Sequence, residues 1–203
     1  MLDNSTIVHP MVMQYFVRKM PYHAENKQII LDMIDRVERV DDTVTKPSDR
    51  YQRITKYDYL MVDKVTNRPW VDFVHPKIWN VLYTMPEELN WTIPRISAIW
   101  FQQYEQSDHH QWHPHAGCNW AGIYYLESPD KSQITEYVEP FTQNVGRFKA
   151  EEGDIVLFPA QLFHRSTEFF GNNRKTVIAF NFDLMAEDIL EKIKEEESAN
   201  NGN

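Results

Sequence analysis

At 203 residues, with 42% of its side chains hydrophobic and 13% aromatic, the chain can bury a sizeable core and suits a single domain over 1–203. A net charge of −9 and a pI near 5.3 argue against nucleic acid or an anionic membrane as a partner, and no apolar run approaches membrane-spanning length. The opening MLDNSTIVHP lacks the basic-then-apolar order of a secretory signal and the single Cys118 has no internal disulfide partner, so a reducing, cytoplasmic setting is expected.

Residues 11–20, MVMQYFVRKM, lie between Pro10 and Pro21 and are dense in apolar and aromatic side chains, which predicts a strand. HAENKQIILDMIDRVERV follows, with Ile29, Ile30, Met33, Ile34 and Val37 at helical spacing, an amphipathic helix with its stripe toward the core. The polar stretch 41–58, containing Pro47, reads as a loop, YLMVDKV as a short strand, and HPKIWNVLYTM as a second helix carrying Ile78, Val81, Leu82 and Met85 on one stripe. These make up an N-terminal part, 1–90.

From Trp91 the character changes. RISAIWFQQYE, CNWAGIYYLE, EYVEPF, GRFKAEE, GDIVLFPA, LFHRSTEFF and KTVIAFNFDL are short β-branched and aromatic runs separated by Pro, Gly, Asn and Asp. Short strands at this spacing predict an antiparallel sandwich or barrel over 91–184, so the expected class is α+β: a jelly-roll core with the N-terminal helices packed on one sheet. Residues 185–203 start as a helix and end in a polar, disordered tail.

The candidate chemistry centres on His113 and His115 in QWHPHAGCNW. On an extended backbone, side chains at i and i+2 project to one side, so two imidazoles converge there, either as half of a metal site or as buried hydrogen-bonding groups. His164, after a strand ending in Pro159, can complete a three-ligand set once a jelly roll brings distant strands together. Ten residues beyond His164 stands Arg174, after Gly171, Asn172 and Asn173. Those residues predict a tight hairpin, with Arg174 on the strand next to His164, where its planar fork would suit a carboxylate. His109 and His110 are expected in a loop at the site mouth, Trp112 and Trp120 as core or pocket walls, Gln102 and Asn119 as pocket polar groups, and Cys118 as a small buried thiol.

Together these residues resemble the Fe(II)- and 2-oxoglutarate-dependent oxygenases, in particular the prolyl-4-hydroxylase-like branch. That family's pattern is Tyr-x-x-Gly-x-x-Phe-x-x-His-x-Asp, then a distal His, then Arg or Lys about ten residues later, often followed by x-Ser or x-Thr. Here Tyr104 precedes His113 by nine residues, His164 precedes Arg174 by ten, and Thr176 follows at the expected place. GIYYLE and GDIVLFPAQLFH add to the likeness, which covers roughly 96–184. Three departures stand out: His115 replaces the Asp, as in a related group of phage-encoded and bacterial proteins, and Ser107 and His110 replace the Gly and Phe.

The resemblance implies a double-stranded β-helix (jelly-roll or cupin-like) core. It implies Fe(II) on His113, His115 and His164, and 2-oxoglutarate with its distal carboxylate on Arg174, assisted by Thr176 and Tyr104, with ascorbate as an auxiliary reductant. The reaction implied is oxygen-dependent hydroxylation of a C–H bond in a small-molecule or peptide substrate, a prolyl or other amino-acid residue among the options. Two other readings stay open: a three-histidine cupin-type metal enzyme that does not use 2-oxoglutarate, and a non-catalytic jelly-roll binding or structural protein. Oligomeric state is also open, a homodimer included.

Overall fold

The two helical stripes decide which sheet face becomes core. In a computed structural model, which describes residues 13–38, 52–59, 62, 67–85, 93–131, 134–185 and 192, helix α1 spans His23–Asp35 and α2 spans Pro69–Leu82. On α1 the buried residues are Ile30, Leu31 and Ile34, while Ile29 is 44% exposed. The stripe is therefore turned by one position from the expected one, with Leu31 taking the place of Ile29. Helix α2 starts earlier than the sequence suggests, because Pro69 sits in the first turn, where its missing N–H costs nothing. It continues through Pro76 on the strength of its buried stripe, Trp70, Val74, Ile78, Val81 and Leu82.

Among the described residues there are eleven strands: β1 Phe16–Lys19, β2 Gln52–Arg53, β3 Lys56–Tyr57, β4 Ile93–Tyr104, β5 His109–His113, β6 Trp120–Glu127, β7 Glu136–Val138, β8 Val145–Arg147, β9 Asp154–Pro159, β10 His164–Ser166 and β11 Lys175–Met185. They form a six-stranded sheet in the order β1-β9-β6-β11-β4-β3 and a five-stranded sheet in the order β2-β5-β10-β7-β8, with every pairing antiparallel. This is a double-stranded β-helix with both helices on the outer face of the larger sheet. The helical stripes meet Phe101, Tyr124, Leu157, Ile178 and Phe180 there, and a second apolar cluster, including Tyr125, Phe148, Val156 and Phe158, fills the space between the sheets. Gly122 is obligatory in this packing, since a Cβ would lie 2.0 Å from the Phe180 ring.

Several local expectations are corrected. The part of 41–58 that is described is not a loop, because it carries β2 and β3 on the edges of opposite sheets. His109 and His110 belong to β5 rather than to a loop. The Gly171-Asn172-Asn173 turn does not make a hairpin: β10 pairs with β5 and β7, while β11 pairs with β4 and β6 in the other sheet. The chain crosses between the sheets at that point. Most of YLMVDKV and nearly all of the 185–203 segment lie outside the described residues. Among those residues no helix is long and apolar enough to cross a membrane.

Candidate metal centre

Strands β5 and β10 supply two of the three histidines as direct neighbours, since His113 pairs with His164 in register. The next pairing is Ser166 with His110, so β5 uses one more residue than β10 over the same span. This β-bulge breaks the simple alternation and turns His110 to the same side as His113. Trp112 points outward, beneath the Arg165 guanidinium at 4.4 Å, instead of walling the pocket. His115 lies just past the strand, where its backbone N–H donates to the Ala160 carbonyl at 2.8 Å.

The ligand-capable atoms of His113, His115 and His164 all lie within 4.8 Å of one another. The Nδ1–H of His113 donates to the Gln111 carbonyl at 2.7 Å, and that of His164 to the Leu162 carbonyl at 2.9 Å. The Nδ1–H of His115 donates to the Asn181 side-chain oxygen. Carbonyl oxygens only accept, so each ring carries its proton on Nδ1 and offers a lone pair at Nε2. Such outer hydrogen bonds orient metal-binding imidazoles and raise their basicity. Burial holds all three rings neutral: the His113 pKa falls to about 4, and those of His115 and His164 are lowered by the same cause.

Among the described residues no carboxylate joins the group. Asp108 is 2% exposed and accepts from the backbone N–H groups of Thr55 (2.7 Å) and Glu105 (2.9 Å). Glu127 accepts from Arg174 at 2.8 Å and from Thr176 at 2.9 Å.

The inner end of the histidine cavity is lined by Gln102, Tyr104, Ser166 and Lys175, together with Ile123, Val177 and Ala179. Lys175 is 1% exposed, donates from Nζ to Ser166 Oγ at 2.6 Å and lies 4.5 Å from the centre of the Tyr104 ring. Burial lowers its pKa to about 7. The Tyr104 hydroxyl donates to the Gln102 amide oxygen at 3.0 Å. Of the residues expected around a diacid, Tyr104 therefore lines this cavity, whereas Arg174 and Thr176 do not.

Side chains alternate along β11, so Lys175, Val177, Ala179 and Asn181 face the histidines while Thr176, Ile178 and Phe180 face the helices. Arg174 is tied to Glu127 and to Asp35 of α1 at 2.7 Å, and lines a separate open groove of about 1070 Å³. Sequence reasoning missed Lys175, although a lysine at that place was available to the family pattern. The sequence offers nothing to choose between two adjacent cations until the sheet register is known.

Outside the histidines a cleft of about 450 Å³ is walled by Tyr57, Tyr59, Trp100, His110 and Pro114, with Gln52, Gln102 and Asn181 as its polar side chains. Asp58, 1% exposed, anchors the segment that bears the two tyrosines. It accepts from Arg68 at 2.6 Å, Trp70 Nε1 at 3.0 Å and the backbone N–H of Phe101 at 2.9 Å. Asn119 clamps β11 through both hydrogen bonds of its amide to Leu184, at 3.0 Å each, and does not line the site. Cys118 is half-buried and outside the histidine group.

Neither a family model nor a curated protein matches the chain in sequence. Solved structures do match in fold. A Pseudomonas putida prolyl-4-hydroxylase aligns over 84% of this chain and 92% of its own, at 8% identity and a TM-score of 0.59. HygX from Streptomyces hygroscopicus, with nickel and 2-oxoglutarate bound, aligns over 84% and 82% at 13% identity and a TM-score of 0.62. The viral collagen prolyl hydroxylase of Paramecium bursaria Chlorella virus-1, in its 2-oxoglutarate complex, aligns over 83% and 94% at 10% identity and a TM-score of 0.55. At these identities the likeness is one of fold.

Proposed function

We propose that the chain is a metal- and 2-oxoglutarate-dependent oxygenase that hydroxylates a C–H bond of a small-molecule or peptide substrate. The observation that carries this reading is the joint placement around one cavity of three Nε2 lone pairs and a buried lysine. His113, His115 and His164 fit a divalent ion, since each ring is neutral and fixed by an oxygen at Nδ1. Bound there, Fe(II) would supply the oxygen chemistry that drives decarboxylation of 2-oxoglutarate to succinate and hydroxylation of the substrate.

The protein's own contribution is position and charge. Lys175 would take the far carboxylate of the diacid, with the hydroxyls of Tyr104 and Ser166 beside it, and the dianion would draw a proton onto an amine that burial holds near neutrality. Arg174 has no part in this. The aliphatic side chains of Ile123, Val177 and Ala179 keep water from the cosubstrate's flank. A three-histidine enzyme without a diacid would have no use for Lys175 at the inner end of the cavity.

Three neutral imidazoles leave the ion its full double charge and give up the preference of a carboxylate for hard iron, so nickel and zinc would compete for the site. The test is oxygen-dependent conversion of 2-oxoglutarate to succinate by protein reconstituted with Fe(II), followed by mass spectrometry of a treated lysate for a product with one added oxygen. Succinate should appear only with both metal and oxygen; none under any metal loading would refute the reading.

A further inference from the structure

His110 sits between the inner cavity and the outer cleft and lines both, stacked on the His113 ring with centroids 3.9 Å apart and planes 22° from parallel. Its Nδ1 faces the Gln102 side-chain nitrogen at 3.4 Å. The Gln102 oxygen is already taken by the Tyr104 hydroxyl, which sets the orientation of the amide and leaves its NH2 to donate. His110 Nδ1 is therefore an acceptor, and the ring proton lies on Nε2. This is the opposite tautomer to the three rings that offer Nε2 as a lone pair. His110 is half-buried and lines the cleft, and among the described residues its one side-chain hydrogen bond is that of Nδ1 to Gln102. The bulge in β5 thus places this Nε2–H-bearing ring where the inner cavity meets the cleft.

The cleft itself selects against charge. Its walls are the aromatic rings of Tyr57, Tyr59 and Trp100, the last two edge-to-face at 4.9 Å, and among the described residues no Asp, Glu, Lys or Arg lines it. A charge carried in without a partner would lose its hydration, whereas a ring would gain aromatic contact. We propose that this cleft binds an uncharged, ring-bearing substrate group, and that His110 determines its placement by donating Nε2–H to an oxygen acceptor on that group. The assignment rests on the oxygenase reading, which makes this cleft the approach to the reacting centre.

Nickel-loaded full-length protein under nitrogen, which cannot turn over, allows the binding to be read by calorimetry. The probes are N-acetyl-L-phenylalaninamide and thymidine, neutral rings from a peptide and a nucleoside source, against N-acetyl-L-phenylalanine and thymidine monophosphate, the same rings with a charge. At least one neutral probe should bind, with its charged counterpart weaker by about tenfold or more. His110→Phe keeps a ring on His113 but removes the donor. It should weaken the neutral probe by about fivefold to tenfold and change nickel and 2-oxoglutarate affinity by less than about threefold. His110→Gln, which retains an N–H donor, should recover part of the loss.

Equal binding of charged and neutral probes, or of neither neutral probe, would overturn the proposal. So would a His110→Phe effect on nickel or 2-oxoglutarate as large as that on the probe, since His110 would then serve the metal or the diacid. Neutral-probe binding without 2-oxoglutarate binding would refute the oxygenase reading and leave the cleft assignment standing.

Discussion

The two faces of β11 divide the histidine cavity from the helix packing. Lys175, Val177, Ala179 and Asn181 look toward the histidines, and Thr176, Ile178 and Phe180 look toward the helices, with Arg174 held to Glu127 and Asp35 beyond the strand's start. Two neighbouring cations, Arg174 and Lys175, therefore stand in unrelated surroundings. A strand's side chains alternate, so one position along the chain moves a group from one side of the sheet to the other. Chemical suitability does not decide between them: the guanidinium has the better fork for a carboxylate, yet the lysine is the cation in the cavity.

The contrast can be broken or sharpened by substitution. The largest loss should come from the histidine side, where His164→Ala removes a proposed ligand from a register-matched pair and should lower nickel or Fe(II) affinity by more than about a hundredfold, read by metal titration. Next, Lys175→Met should reduce 2-oxoglutarate affinity by about a hundredfold while sparing the metal, because it removes a charged donor from a buried contact.

The same Lys175→Met variant should be more thermally stable at neutral pH. The folded-state pKa of Lys175, about 7, lies below the ordinary lysine value of 10.5 expected in the unfolded chain, so between these values the unfolded chain holds the extra proton and wild-type stability rises with pH. The advantage of Lys175→Met in melting temperature should thus be full at and below about pH 7 and shrink toward the unfolded pKa; an advantage independent of pH would contradict a buried, depressed lysine.

A smaller effect is expected at Asn181, whose side-chain oxygen orients His115 without touching a ligand lone pair. Asn181→Leu should weaken metal binding by about tenfold to a hundredfold, with His113 and His164 still in place. The smallest belongs to the helix side. Arg174→Ala breaks partly exposed ion pairs, worth about 0–1 kcal/mol, and should change 2-oxoglutarate affinity by less than about threefold.

Much of this was legible along the chain because it depends on local pattern. The short β-branched and aromatic runs after Trp91 became β4, β6, β7, β8, β9, β10 and β11, and both helices formed on apolar stripes. His113 and His115 share a side, as i and i+2 residues should, and His164 joins them. What could not be read depends on which sheet a strand joins and in what register. Asn and Gly at 171–173 look like a hairpin, but the turn between β10 and β11 crosses from one sheet to the other, so the interval from His164 to Arg174 carried no information about facing. The bulge in β5 likewise leaves no mark in HHQWH, and without it alternation sets His110 and His113 on opposite sides.

The most direct measurement is anaerobic titration of 2-oxoglutarate into the Fe(II)-loaded wild type, Arg174→Ala and Lys175→Met proteins, following the visible metal-to-ligand charge-transfer band. The band should develop at similar 2-oxoglutarate concentrations in the wild type and Arg174→Ala and require far higher concentrations in Lys175→Met. A band that survives in Lys175→Met and is lost in Arg174→Ala would contradict the assignment of the inner face of β11 to the cosubstrate, and its absence from the wild type would contradict the metal and diacid site altogether.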